Sequence, residues 1–349
     1  MVPFSLQDYL IRRHIIAESF SNGVTKELIE ILFKAQKQVQ DHIRNQKAGK
    51  MTKTTMQKIN VEINSALKFI SEEYTNKLNK AQIEMIKDEY NKLKKTLRGN
   101  LGKSVKESNY ILPVKRIQAI LATPSGGRFV QDYIKAHVNS LRTRIRTQLT
   151  IDIIESSSME KTARNLRTQF DISRRGANLI SRTSIMDASN RANEEVFKEN
   201  TDIIKGYRYV ATLDNRTTLI CAGLDGKEVR LRENLPQPPL HPLCRSLIAP
   251  ILFDDQFEGL KRIAVTNVER KKVKHRDGTT STKFRNVSGK DVSASTNFSK
   301  FLERQPAKWQ REYLGKTRYE LYKDGKLSLQ EMATNSKSFT IEELKKKVS

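Results

Sequence analysis

The chain has 349 residues, more than one hydrophobic core usually serves, so two or three structural units with ample core are expected. Its 64 Lys and Arg against 39 Asp and Glu give a formal charge of +25, which points to polyanionic partners, nucleic acid first, beside the plainer alternative of a solvated basic surface. Two cysteines exclude a disulfide-rich secreted scaffold, there is no apolar run long enough for a transmembrane helix, and the first twenty residues lack a signal-peptide layout, so a soluble, unprocessed product of a reducing cytosol is expected.

In chain order, the first half reads as helices. Leu28, Ile31, Leu32, Ala35, Val39 and Ile43 recur at three and four residues up to Gly49. Ile59, Ile63, Ala66, Ile70, Tyr74, Leu78 and Ala81 repeat the pattern, which runs on through Ile86, Tyr90, Leu93 and Leu97 to Gly99, a rod of about forty residues that must lean on a partner helix. Gly102, Pro113, Pro124 and Gly126-Gly127 mark a linker zone. Residues 129–154 are again helical in period, Ser157 with Glu160 predicts a capping box opening a helix toward Phe170, and Ala177, Ile180, Ser184, Ala188, Ala192 and Val196 form a small-residue stripe on a next helix, suited to close packing.

Tyr207, Tyr209, Ala211 and Leu213 alternate with Arg208, Val210 and Thr212, which predicts a half-buried strand. Asp225-Gly226, between Leu224 and the alternating run Lys227 to Leu231, predicts a hairpin turn. Pro236, Pro238, Pro239 and Pro242 stiffen the approach to Cys244, so Cys221 and His241 can be drawn together at modest entropic cost. Residues 261–290 then carry ten Lys or Arg against two acidic residues, in two runs flanking Asp277-Gly278. They predict a basic β-hairpin or a basic loop, whose Lys271, Lys272, Lys274, Arg276, Lys283 and Arg285 either contact phosphates or form an ordinary solvated hairpin. In the tail, Phe301, Trp309, Tyr313, Leu321 and Tyr322 are placed to dock short helices that stop at Gly315 and Gly325.

The order Asp214-x-Arg216-Thr217, Cys221, Leu224-Asp225-Gly226-Lys227, then Pro238-Pro239-Leu240-His241-Pro242-x-Cys244-Arg245 resembles the phage Mu F-like head morphogenesis family, most closely over 164–250. Ile180-Ser181-Arg182-Thr183 is similar to a segment that precedes this stretch in the family, with Ser184 where an acidic residue is usual. Gln305-Pro306, Leu314-Gly315, Arg318 and Gly325-Lys326-Leu327 resemble the family's closing segment. The resemblance implies a predominantly helical α+β minor head protein of a tailed phage, made in the host cytoplasm and lodged inside the head near the portal vertex. Its implied work is head assembly, DNA packaging and genome ejection. Its implied partners are the portal protein and packaged double-stranded DNA, with scaffold or major capsid protein as further candidates, and no membrane is expected. The implied organisation is a helical region over 1–110, a linker zone over 111–127, the Mu F-like domain over 128–255, a basic hairpin or loop over 256–295 and a helical segment over 296–349.

Family members often carry Cys-x-x-Cys before the turn and His-Pro-x-Cys-Arg-Cys after it, a spacing that invites zinc. Here Thr218 and Ser246 stand at two of those cysteine positions, leaving Cys221, His241 and Cys244, one donor short of a closed structural site. Three readings stay open: a metal-free packed core with two buried thiols, which is expected first; zinc on these three residues; and a Cys221 to Cys244 disulfide, which a reducing cytosol disfavours. Pro239, Pro242 and Arg245, with Asp214, Arg216, Thr217, Leu224, Asp225 and Gly226, are the implied structural motif. No phosphate-binding loop, His-Glu-x-x-His or nucleophile elbow is present and the five histidines are scattered, so no enzyme is expected. The enzymatic alternative is a metal-dependent nuclease using His241 with Asp214 or Asp225.

Overall fold

The computed structural model describes residues 5–45, 49–101, 111–253, 261–274 and 280–348. The fold is α+β and predominantly helical. Five helices come first, α1 (Leu6–Arg44), α2 (Lys53–Leu101), α3 (Val114–Leu121), α4 (Val130–Ile154) and α5 (Met159–Glu199). Then follow β1 (Ile204–Val210), α6 (Leu219–Leu224), β2 (Glu228–Arg230), β3 (Leu247–Leu252), β4 (Lys261–Lys274) and β5 (Thr280–Ser293). Helices α7 (Phe298–Glu303), α8 (Ala307–Leu314), α9 (Lys316–Lys323) and α10 (Ile341–Val348) close the chain. By contacts it divides into two compact units, one gathering the described residues of Ile16–Lys92 and Asn109–Ala192, the other those of Met1–Ile15, Leu93–Ser108 and Asn193–Ser349.

The first of these units is helical. The expected periodic residues are its core: Leu28, Leu32, Ala35, Val39 and Ile43 of α1, Ile59, Ile63, Ile70 and Leu78 of α2, and Leu141, Ile145 and Leu149 of α4 are all buried. Each such Leu, Ile or Val side chain removed from water contributes about 1.5–3 kcal/mol before entropy is charged against it. Two expectations need correction. The helix-opening cap is Ser158, whose Oγ accepts from Lys161 N at 3.2 Å, while Ser157 Oγ is buried without a partner. The two helices expected on either side of Phe170 are the single helix α5, because the residues between them hold no proline and only one glycine, Gly176. That glycine is there for packing: a Cβ on it would lie 2.1 Å from His137 Nδ1 of α4. On the same helix Ser181 Oγ donates to the Ser21 carbonyl of α1 at 2.8 Å, and Arg182 pairs with Glu18. The stretch 111–127, expected as a linker zone, contains α3, with Ile117 and Ile120 buried.

In the other unit β1 is the centre of a three-stranded antiparallel sheet, order β2-β1-β3, with Gly206 opposite Arg230, and Arg208 opposite Glu228 on one side and Ala249 on the other. A Cβ at Gly206 would fall 2.3 Å from the Val229 carbonyl oxygen, so the pairing demands glycine there. The hairpin expected at Asp225-Gly226 is corrected in one respect. The segment before the turn is helix α6, opened by Thr218, whose Oγ1 accepts from Cys221 N; Gly226, at φ +83°, then turns the chain into β2, which returns to β1. Beyond β3, β4 and β5 pair antiparallel from Lys261 opposite Ser293 to Lys274 opposite Thr280. Phe298, Phe301, Leu302, Leu314, Leu327 and Leu329 of the tail form one core with Leu213, Ala222 and Ala264, with Trp309, Tyr313, Leu321 and Tyr322 packed against it. No helix among the described residues is long and apolar enough to cross a membrane.

Candidate functional site

The loop between β1 and α6 is organised by one carboxylate. Asp214 is fully buried and accepts Arg216 N at 2.9 Å, closing a tight turn, and Arg216 Nε at 3.2 Å. Arg245 reaches it from the far end of the compact knot formed by residues 213–250 with both terminal nitrogens, each at 2.6 Å, in a fork-to-fork pair. Burial alone would raise the Asp214 pKa, but the Arg245 fork outweighs it and holds the carboxyl below the usual range. Thr217 Oγ1 bonds back to the Thr212 carbonyl, and Thr212 Oγ1 donates to the Arg245 carbonyl at 3.0 Å. The Asp-x-Arg-Thr motif is therefore a clamp that fixes the start of α6 and the start of β3 together.

A second buried carboxylate fixes the other end of α6. Asp225 accepts Ala211 N at 2.7 Å and faces Arg262 Nη1 at 3.1 Å, and Arg262, itself 3% exposed, also donates to the Thr296 carbonyl at 2.8 Å and to the Ala211 carbonyl. Arg262 thus locks the base of the β4–β5 hairpin to the knot. Nothing in the sequence separates it from its nine basic neighbours.

Between these clamps the three expected donors meet. Cys221 Sγ lies 3.7 Å from Cys244 Sγ and 3.2 Å from His241 Nε2, and their donor atoms all fall within 4.8 Å of one another. Both thiols are free and buried in a cluster with Tyr209, Ala211, Ile220, Leu224, Leu235 and Ile248. Tyr209 donates its hydroxyl to Cys221 Sγ at 3.4 Å, and Thr218 Oγ1 sits 2.9 Å from His241 Nε2. His241 Nδ1 is 2.9 Å from the Pro242 carbonyl, which can only accept, so Nδ1 carries a proton and Nε2 faces the sulfurs. The Cys221 S–H and His241 draw the Cys244 thiol well below its ordinary pKa against the opposing effect of burial, whereas the same contact and burial push the Cys221 thiol up. Pro239 is buried and Pro242 exposed at the edge of this cluster, and Leu243 turns the chain at φ +62° into Cys244.

Thr218, which stands where the family resemblance would put a cysteine, lies at this cluster and also opens α6, as a threonine just before an apolar run can. Tyr313 was expected to dock the tail, and it does so on the motif itself, donating to the Thr217 carbonyl at 2.9 Å. Neither carboxylate of the nuclease alternative joins His241: among the described residues the metal-capable group is Cys221, His241 and Cys244, with Asp214 and Asp225 committed to Arg245 and Arg262. Of the hairpin residues, the backbones of Lys271 and Lys283 are register partners, those of Lys272 and Lys274 pair with Thr282 and Thr280, and Arg285 pairs with Glu269. Arg276 and the Asp277-Gly278 turn lie outside the described residues.

Residues 143–249 match the family model described as Phage Mu protein F like protein. The match opens within α4 and ends within β3, so it takes in α5, β1, α6, β2 and the cluster of Cys221, His241 and Cys244. No curated protein and no solved structure matches the chain.

Proposed function

We propose that this chain, whose residues 143–249 are a Phage Mu F-like domain, is a minor head protein of a tailed phage, lodged inside the head near the portal vertex. There it assists head assembly and DNA packaging, touching the portal protein and the packaged DNA, and leaves with the genome on ejection. The family match carries this reading. Charge supports its DNA-contacting part: +25 over the chain, with ten Lys or Arg in residues 261–290, where β4 and β5 carry the densest basic runs beyond an anchored base. A scaffold of this kind works by position and charge, and a +25 chain neutralises phosphates whatever their sequence.

Binding to duplex DNA should therefore be indifferent to sequence and weaken steeply with salt, since each phosphate neutralised releases counterions. Reversing Lys271, Lys272 and Lys274 to Glu should lower the magnitude of the logarithmic salt slope by up to about 3, one phosphate contact for each lysine. Filter binding or fluorescence anisotropy across a salt series measures it. Salt-insensitive binding, or none at low salt, contradicts the DNA-contacting part.

A further inference from the structure

We propose that Cys221 Sγ, Cys244 Sγ and His241 Nε2 bind one zinc-class divalent cation through three protein donors, with the fourth tetrahedral position beside Thr218 Oγ1 left to solvent. The spacing fits such an ion. Two thiolates held by metal bonds of about 2.3 Å at the tetrahedral angle stand about 3.7–3.8 Å apart, and the sulfurs here are 3.7 Å apart. A disulfide would bring them to about 2.05 Å, so the cluster is not already shaped as a bridge.

The imidazole is also oriented as a ligand. Its Nδ1–H is held by the Pro242 carbonyl at 2.9 Å, which fixes the tautomer and turns the Nε2 lone pair toward the sulfurs, as is usual for metal-bound histidine, whose other ring nitrogen donates to a carbonyl or carboxylate. A pair of merely packed thiols would need no such partner. The donors' backbones are set by different elements: Cys221 by the Thr218-capped first turn of α6, and Cys244 by the Leu243 turn that leads into β3. Charge balances as well. Arg245, the nearest buried cation on the chain, is neutralised by Asp214, so two thiolates and a dication leave the cluster neutral.

Thr218 decides the character of the site. A neutral hydroxyl is a poor zinc donor, so three strong ligands hold the ion more loosely than a closed four-ligand site would, and a cysteine at 218 would complete the set. The proposal is independent of whether the chain resides in a phage head.

The test uses the full chain, reduced and stripped with chelator, then titrated with Co(II) as a spectroscopic probe. Thiolate-to-cobalt charge-transfer absorption should appear, saturate at about one ion per chain, and be abolished by equimolar Zn(II). Thr218→Cys should tighten zinc binding by roughly tenfold or more in competition with a chelator. That gain cannot be mimicked by misfolding, whereas Cys244→Ser, checked for fold by circular dichroism, should lose the absorption. A folded wild-type chain without the absorption, whose two thiols alkylate equally fast with and without zinc, overturns the proposal. Binding by the wild type that Thr218→Cys fails to tighten overturns the placement of the open vertex.

Discussion

Asp214 and Arg245 carry the knot's largest single stake. Both are buried, and their bidentate contact replaces the water each lost. Such a pair contributes little over two apolar residues, yet losing one partner leaves a buried charge unmatched. Asp214→Ala should therefore destabilise the protein by about 3–5 kcal/mol, read as a shift in the urea midpoint at unchanged slope, while Asp214→Leu with Arg245→Met should recover part of that loss. Equal loss in the single and double variants would show that the pair is not what holds the loop. The motif was legible in the sequence, but its true partner was not: Arg216 sits two residues away, whereas Arg245 is brought in from 31 residues on by the turn before β3. Arg262 was still less visible, since only folding separates a buried arginine from the basic run that surrounds it.

At the scale of elements, α4 and α5 meet where Gly176 admits His137. The imidazole stacks on Tyr74 of α2 at 5.6 Å between ring centres, and its Nε2 has no hydrogen-bond partner. Burial, helped by the charge of Arg144, lowers its pKa to about 4 from an ordinary value of 6.5. The unfolded chain then binds the proton more tightly than the folded one, so this contribution to stability is complete above about pH 6.5 and is lost as pH falls through about 4. His137→Phe should flatten that part of the pH–stability curve, and Gly176→Ala should lower the melting temperature at every pH by forcing the helices apart. A variant with the wild-type acid profile would remove His137 from the account. The small-residue stripe on α5 was legible because Ala and Ser recur at helical spacing, and α2 for the same reason. The first half of α1 was not: Arg13, His14 and Ser21 occupy buried positions there and interrupt the apolar period. The break expected after Phe170 failed because no residue in that stretch forbids a helix.

At the scale of the whole molecule, the helical class and the sheet's first strand followed from periodicity and alternation, and the approach of His241 to Cys221 from proline stiffness, whereas Cys244 as the third member came from the family resemblance. What did not follow was the set of long-range pairs: Asp214 with Arg245 inside the matched segment, and Asp225 with Arg262 and Tyr313 with the Thr217 carbonyl, which fasten the hairpin base and the tail to it. These contacts explain why two motifs well separated along the chain, one ending at Arg245 and one opening at Gln305, occur together: they are one folded unit. In the proposed function this unit holds position in the head while the chain's charge of +25 meets DNA there. The most direct measurement is quantitative mass spectrometry of purified procapsids and virions, with the portal protein as the internal standard. The account predicts this chain in the particles at low copy, comparable with the portal and far below the major capsid protein. Its absence from both particle types, with the protein recovered only free in the lysate, would contradict it.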